Sequence, residues 1–287
     1  MNPDKEKTMI RAFEKFIAVP RETGIIMIIE KEFGVAGAKD WISIAKGHAN
    51  IVKITFGTGA LYDETVLKRK IAIYKNAGIS PMMGGTLTEV AILDAGGYST
   101  NALKDYLKYA RTIGFTHIEF SDGTIYIPDN KRGDIIKTCV DNGFSVLSEV
   151  GKKDPKKDAQ FTTGKRIELM KQDLKCGSSM VIIEAREGGK GIGVMDEKGK
   201  VRFDELDLIM KAVGLDKTMI EAPDKDQQQA IYMRYGAKAN IGNVQPKDVV
   251  AASALRAGLR GDTISIVRAE AWKKYHSSQN APADYRS

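Results

Sequence analysis

The chain has 287 residues, 43% of them hydrophobic, which is enough to bury a large core as one α/β barrel or as two ordinary domains. Its formal net charge is +7, but the 44 basic residues are interleaved with 37 acidic ones and form no long basic run, which argues against nucleic acid as a partner. No stretch approaches the roughly 20 apolar residues of a membrane span. Since residues 1–24 are polar as well, we expect a cytoplasmic protein without a targeting segment.

Eight short apolar runs follow one another along the chain and predict β-strands. They begin near residues 25, 51, 80, 117, 145, 180, 218 and 238. Amphipathic stretches between them have helical spacing, for example residues 64–76, 101–113, 134–142, 164–175, 203–213 and 226–235. Several of these stretches end at a glycine, which readily adopts the left-handed conformation that closes a helix.

The strict alternation of strand and helix predicts the fold class. Most strands are apolar on both faces, as parallel strands covered on both sides are. Eight units of roughly 30 residues match a closed (β/α)₈ TIM barrel with parallel strands, which we assign to residues 24–268. A doubly wound open sheet is the alternative.

The two ends of the chain are assigned outside this barrel. Residues 1–23 form an N-terminal extension, whose amphipathic residues 10–17 would cover the bottom of the barrel or form an oligomer contact. Residues 269–287 form a C-terminal tail that we expect to be partly disordered, because residues 277–287 are polar and lack periodicity.

Six of the predicted strands carry one charged residue near the end. These residues are Glu30, Lys53, Glu119, Glu149, Glu184 and Glu221. Charged side chains are rarely buried without a partner, so their shared position suggests that they converge on one ligand. The carboxyl ends of the strands are also where TIM barrels carry out their chemistry.

Two lysines follow the fifth strand. If that strand continues past Glu149, then Lys153 lies on the same side as Glu149, and Lys152 points away. A lysine close to carboxylates stays protonated and can donate a proton. The alternative is that both lysines belong to a solvated, charged loop.

The sixth and eighth strands are followed by candidates for metal and anion binding. Glu184 and Arg186 are two residues apart and can face one site, one as a metal ligand and the other as an anion clamp, or they form a structural ion pair. Asn243 follows strand eight, where barrels often bind phosphate. The glycine-rich residues 188–193 resemble a flexible lid more than a nucleotide-binding loop.

Cysteine and histidine give no sign of a metal site. Cys139 and Cys176 lack the spacing of a zinc motif, and His48, His117 and His276 are scattered. A set of oxygen ligands without histidine or thiolate suits magnesium better than zinc.

Six dispersed motifs resemble the phosphosulfolactate synthase family over about residues 24–263. They are Gly84-Gly85-Thr86-Leu87, Glu119-Phe120-Ser121-Asp122-Gly123-Thr124, Glu149-Val150-Gly151-Lys152-Lys153, Ile183-Glu184-Ala185-Arg186-Glu187 with Gly189-Lys190-Gly191-Ile192-Gly193, Glu221-Ala222-Pro223 and Gly258-Leu259-Arg260-Gly261-Asp262-Thr263. The resemblance implies a (β/α)₈ fold. It also implies a lyase that adds sulfite to phosphoenolpyruvate with the help of Mg²⁺ and gives (2R)-2-O-phospho-3-sulfolactate, for coenzyme M biosynthesis or for sulfolactate formation.

The same resemblance implies roles for single residues. Lys153 matches the lysine proposed in the family as the general acid that protonates C2, while Mg²⁺ stabilises an enolate-like intermediate. From charge and position, we expect substrate contacts from Lys53, Arg186 and Asn243 and magnesium ligation by Asp122, Glu149 and Glu184. Glu30, Glu119 and Glu221 are expected to support them. A homo-oligomer is compatible with the sequence, and no nucleic acid or membrane partner is expected.

The chain departs from the family pattern at several positions. Members usually have Gly and Trp at Thr55 and Phe56, Tyr-Pro at Met82-Met83, Asp at Glu30 and at Tyr126, and Gln at Asp224. A related barrel that binds phosphoenolpyruvate but uses another nucleophile is therefore one alternative. A non-catalytic relative, like the heat-stress-associated homologues of plants, is another.

Overall fold

Eight parallel strands close into a barrel in the order β1 to β8 within residues 23–278, the part of the chain that the computed structural model describes. The strands are β1 Ile26–Glu30, β2 Ile51–Ile54, β3 Ser80–Met83, β4 His117–Phe120, β5 Ser145–Val150, β6 Met180–Ile183, β7 Thr218–Glu221 and β8 Asn240–Val244. The predicted TIM barrel is confirmed. The predictions for residues 1–22 and 279–287 lie outside the described residues.

Helices follow the strands and surround the barrel. They are α1 Val35–Ala45, α2 Glu64–Asn76, α3 Gly85–Asp94, α4 Thr100–Ile113, α5 Asp129–Asp141, α6 Pro155–Asp158, α7 Thr163–Lys175, α8 Phe203–Val213, α9 Lys225–Tyr235, α10 Val249–Arg256, α11 Ile264–Val267 and α12 Ala269–Ser278. Helices α2 and α8 have the predicted bounds, whereas α5 begins earlier than predicted, directly after Pro128. Helix α12 occupies the start of the predicted C-terminal tail, so that part is helical.

Glycines end several helices as predicted. The five residues with this role have φ between +73° and +107°, and they are Gly78, Gly114, Gly143, Gly177 and Gly236. A side chain is disfavoured in this region, so glycine permits the sharp turn from helix to next strand.

The lower half of the barrel interior is closed by apolar side chains that alternate inward along the strands. This methionine-rich floor consists of Met27, Ile51, Met82, Leu147, Met180, Ile182 and Met219. Unbranched methionines adapt to irregular gaps between strands. The next inward positions lie at the carboxyl ends of the strands, so the floor forms the base of any site there.

In residues 23–278, the helices are each too short or too polar to cross a membrane.

Candidate active site

A cavity of about 490 Å³ opens at the carboxyl ends of the strands. Five of the six predicted charged strand ends line it: Lys53, Glu119, Glu149, Glu184 and Glu221. Each of the five is at least 95% buried. The prediction that charges at the strand ends converge is confirmed for these residues.

The sixth residue, Glu30, does not reach the cavity, so the prediction is wrong there. Met27 packs into the floor and Ile29 lines the cavity, which turns Glu30 outward to helix α2. There its carboxylate lies 2.9 Å from the Lys70 ammonium and accepts a hydrogen bond from the Tyr74 hydroxyl at 3.0 Å. Glu30 therefore binds a helix to the barrel.

Lys53 lies between two carboxylates, two residues after Ile51 of the methionine-rich floor. Its Nζ donates to Glu119 Oε1 at 2.7 Å and to Glu221 Oε1 at 3.0 Å. The other oxygens of these carboxylates accept from the backbone N–H groups of Gly85 and Ala185. Burial alone would lower the pKa of Lys53, but Glu119 and Glu221 outweigh it and raise the pKa. The lysine stays charged, and its third N–H remains available to a substrate.

Glu149 and Glu184 each present a buried carboxylate oxygen without a hydrogen-bond partner. Burial, followed by the charge of Glu184, raises the pKa of Glu149 well above its usual value. Oxygens of Glu119, Glu149 and Glu221 also lie within 4.8 Å of one another. Since a buried carboxylate oxygen without a hydrogen-bond partner is costly, this arrangement of oxygen donors suits a divalent cation.

The Lys153 ammonium lies beside these carboxylates. Its Nζ donates to Thr86 Oγ1 at 3.0 Å and is 3.9 Å from Glu149 Oε1 and 4.0 Å from Glu184 Oε2. Burial would lower the pKa of Lys153, but Glu149 and Glu184 raise it, so a protonated donor faces the cavity. Lys152 points away, as the alternation predicted, and its Nζ donates to Asp122.

Asp122 is not brought into the cavity, contrary to its expected position beside a metal. Its carboxylate accepts from Arg132 Nη1 at 2.7 Å and from Lys152 Nζ at 2.8 Å. Arg132 is 1% exposed and also donates to Asp173 and to the Glu149 carbonyl. This network, which the sequence did not reveal, fixes the end of β5 from outside the barrel.

Asp158 joins the loops after β5 and β6 and was also missed. Its buried carboxylate accepts from the backbone N–H groups of Lys152 and Gly193 at 2.8 Å and from Arg166 at 2.7 Å. Ile192 is 2% exposed. The second half of the predicted flexible lid is thus anchored, not loosely placed over the cavity.

Three non-glycine residues in the range 23–278 have φ in the left-handed region. They are Phe56, Arg186 and Asn243, with φ of 55°, 62° and 56°. All three line the cavity, and the Asn243 Oδ1 is buried without a partner. Left-handed backbone at non-glycine residues concentrates at functional sites. This observation supports the predicted placement of Arg186 and Asn243 at the site.

We expect Glu149→Gln to raise the Tm in metal-free buffer at pH 8 by about 2–4 °C, corresponding to about 1 kcal/mol. Because the pKa of Glu149 is raised in the folded protein, the fold binds its proton more tightly than the unfolded chain does. Its contribution to stability is present at low pH and is lost as the pH rises above about 4.5. Glutamine cannot ionise, so its advantage should vanish at pH 4.5.

Thermal melts of both proteins at the two pH values measure this effect, with the exposed Glu168→Gln as the control. An equal Tm change at both pH values would contradict it.

Comparisons with known proteins identify relatives over most of the chain. A family model described as (2R)-phospho-3-sulfolactate synthase (ComA) matches residues 15–262. The phosphosulfolactate synthase of Methanocaldococcus jannaschii is 40% identical over 258 residues, which cover 90% of this chain and 100% of that protein. That of Methanothermobacter thermautotrophicus is 38% identical over 248 residues, covering 86% and 94%.

Solved structures show a shared fold at low identity. The 3-keto-L-gulonate-6-phosphate decarboxylase of Vibrio cholerae superposes with a TM-score of 0.54 at 12% identity, covering 82% of this chain and 96% of that one. At this identity, the similarity concerns the barrel and not its chemistry.

Proposed function

The chain belongs to the phosphosulfolactate synthase family, and from this premise we propose that it is a lyase adding sulfite to phosphoenolpyruvate. The product would be (2R)-2-O-phospho-3-sulfolactate. The observation that carries the proposal is the Lys153 ammonium, held by Thr86 in one cavity beside the oxygens of Glu149 and Glu184 that lack a hydrogen-bond partner. This addition requires a proton donor and, next to it, carboxylates that can bind a metal cation.

The bond changes balance with the groups present. The sulfur lone pair of sulfite attacks C3 of phosphoenolpyruvate and forms the C–S bond, while the π electrons of C2=C3 move toward C2 and the carboxylate. Lys153 then gives one proton to C2, and solvent reprotonates the amine. In this proposal Lys153 is the general acid, as its raised pKa and position allow.

Both substrates are anions, and the cavity must neutralise them. The lining contains the three cations Lys53, Lys153 and Arg186 and five glutamates, which leaves two excess negative charges if all these groups are ionised. A divalent cation would cancel that excess and so reduce the repulsion of anionic substrates. Charge bookkeeping at the cavity thus supports a metal requirement.

The residues present fit Mg²⁺, because they offer carboxylate oxygens and no histidine or thiolate. Glu149 and Glu184 would hold it through the oxygens that lack a partner. When bound, Mg²⁺ supplies Lewis-acid stabilisation of negative charge on the substrate carboxylate. Asp122 is not a proposed Mg²⁺ ligand, since its oxygens accept from Arg132 and Lys152.

Substrate anions would be held by the remaining groups. Lys53 keeps one N–H donor. Arg186 donates from Nη1 to the Lys153 carbonyl at 2.8 Å, and its remaining N–H groups suit phosphate or sulfite. Asn243 lies near the carboxyl end of β8, and its side-chain amide can turn to donate to a phosphate oxygen. These three roles remain as predicted from the sequence.

Removing one proposed ligand should weaken Mg²⁺ binding. We expect Glu149→Gln and Glu184→Gln each to raise the Kd for Mg²⁺ by about 10- to 100-fold, because a neutral amide replaces a charged ligand. Calorimetric titration, or Mn²⁺ titration followed by electron paramagnetic resonance, measures the change. Asp122→Asn is the matched control and should bind Mg²⁺ like the wild type. An equally large loss of Mg²⁺ affinity in this variant would show that Asp122 contributes to metal binding.

One assay tests the proposed reaction. Purified protein is incubated with phosphoenolpyruvate and Mg²⁺, with and without sulfite, and phosphosulfolactate is identified by mass. Consumption that depends on sulfite supports the proposal. No consumption by the wild type would overturn it.

Addition of a different nucleophile is the second candidate function. Among the four divergent residues that suggest it, only two line the cavity. Of the positions that depart from the family pattern in or after β2, β3 and β7, Thr55 and Phe56 line the cavity. Met83 belongs to the cluster between barrel and helices, and Asp224 caps helix α9. If the protein lacks sulfite activity, Thr55→Gly with Phe56→Trp should restore it, whereas changes at Met83 and Asp224 should not.

A further inference from the structure

The stem of Lys153 lies against the backbone of Gly123, in the loop after β4. A Cβ atom built on Gly123 would lie 2.9 Å from Lys153 Cγ and 3.0 Å from Cε. Real Cβ atoms do not approach other carbons this closely, so any side chain here would displace the stem. The Lys153 N–H also donates to the Gly123 carbonyl at 3.0 Å, which keeps the two residues in register.

The tip of Lys153 is fixed by a different element. Thr86, in the first turn of α3, accepts a hydrogen bond from Nζ at 3.0 Å. This turn is itself held to the barrel, because the neighbouring Gly85 N–H donates to Glu119 Oε2 at 2.7 Å. Thr86 therefore holds the ammonium by a hydrogen bond, at the longer ion-pair distances from Glu149 and Glu184.

Resting on the proposed function, we propose that Gly123 and Thr86 are positioning residues that set the configuration of the product at C2. An enolate is planar at C2, and protonation from its two faces gives opposite configurations. A lysine held along its stem by Gly123 and at its tip by Thr86 delivers the proton from one side only. Solvent, which protonates when the lysine is displaced, does not choose a face in this way.

Two variants disturb the lysine without removing it. Gly123→Ala displaces the stem, and Thr86→Val removes the acceptor at the tip. We expect kcat to fall about 3- to 10-fold in each. In Thr86→Val one hydrogen bond is lost, and in Gly123→Ala the displaced stem misaligns the ammonium. KM for phosphoenolpyruvate should change less than about twofold, because substrate contacts remain. Chiral chromatography of the product should show the (2S) form rising to roughly one tenth, as solvent competes with slower delivery.

The controls separate this role from a structural one. Thr86→Ser keeps the hydroxyl and should restore both rate and configuration. Gly34→Ala, at a glycine with nothing within 4 Å of an added Cβ, should behave like the wild type. A product that stays purely (2R) in both disturbed variants would overturn the proposal.

Failure of the proposed function would be visible separately, as a wild type that does not add sulfite. In that case crystal structures of Gly123→Ala and Thr86→Val decide the matter. A Lys153 side chain that leaves the 3.9–4.0 Å range from Glu149 and Glu184 supports the positioning role. A side chain that keeps its place in both variants overturns it.

Discussion

Replacing Lys153 with alanine is expected to reduce the sulfite-dependent consumption of phosphoenolpyruvate by about 10²- to 10⁴-fold, the usual contribution of a positioned general acid. The ammonium touches Thr86 and lies within 4.0 Å of the carboxylates of Glu149 and Glu184. The other two cations of the lining are placed differently. Lys53 is engaged by Glu119 and Glu221, and Arg186 donates to the Lys153 carbonyl. Steady-state kinetics measures the loss, which should fall mainly on kcat.

The neighbouring lysine provides a matched control for this variant. Lys152→Ala removes the same side chain one residue away, but its Nζ bonds Asp122 outside the cavity. We expect kcat of this variant to stay within about tenfold of the wild type, since no substrate contact is lost. If Lys153→Ala retained more than a tenth of the wild-type kcat, Lys153 would not be the general acid.

Replacing Lys53 with methionine is expected to lower the free energy of unfolding by about 3–5 kcal/mol at pH 8, because buried carboxylates lose their partner. Lys53 is 4% exposed and is paired with Glu119 and Glu221 at 2.7 and 3.0 Å. Burial raises the pKa of Glu221 to about 7, although the charge of Lys53 acts to lower it. The loss should therefore shrink at pH 5, where that carboxyl can take up a proton. Urea unfolding at both pH values measures it.

A triple variant distinguishes loss of the pair from loss of packing. Lys53→Met combined with Glu119→Gln and Glu221→Gln leaves no unpaired charge at these three positions, so most of the stability should return while activity does not. Lys68→Met, which removes a lysine paired with Glu64 at the surface, should cost about 0–1 kcal/mol. A triple variant as unstable as Lys53→Met would show that the charges do not determine the loss.

The sequence predicted the barrel because its signals were local. Each strand is a short apolar run, and each of five helices ends at a glycine with positive φ. The convergence of Glu119, Glu149, Glu184 and Glu221 followed from the rule that strand ends meet at one rim. Asp129 as the start of α5 was missed, because residues 129–133 are polar and show no apolar spacing.

The orientation of single side chains could not be predicted where a run is uniformly apolar. Residues 26–29 contain no polar position to show which face is inward, so Glu30 was assigned to the cavity although it faces Lys70 on α2. Asp122 was misplaced for another reason. Its partner Arg132 lies ten residues away on α5 and is shared with Asp173, and such contacts are defined only by tertiary packing.

The left-handed backbone at Phe56, Arg186 and Asn243 bears on how this enzyme could be engineered. Glycine adopts that conformation without penalty, so a library selected only for heat resistance should accumulate glycine at these positions. Replacement by glycine should be selected most strongly at Phe56, because a bulky residue at φ 55° is strained the most. All three side chains line the cavity. Each gain in stability would therefore remove a side chain from the proposed active site and lower activity. Thermostabilisation of this barrel should therefore exempt these positions from mutagenesis.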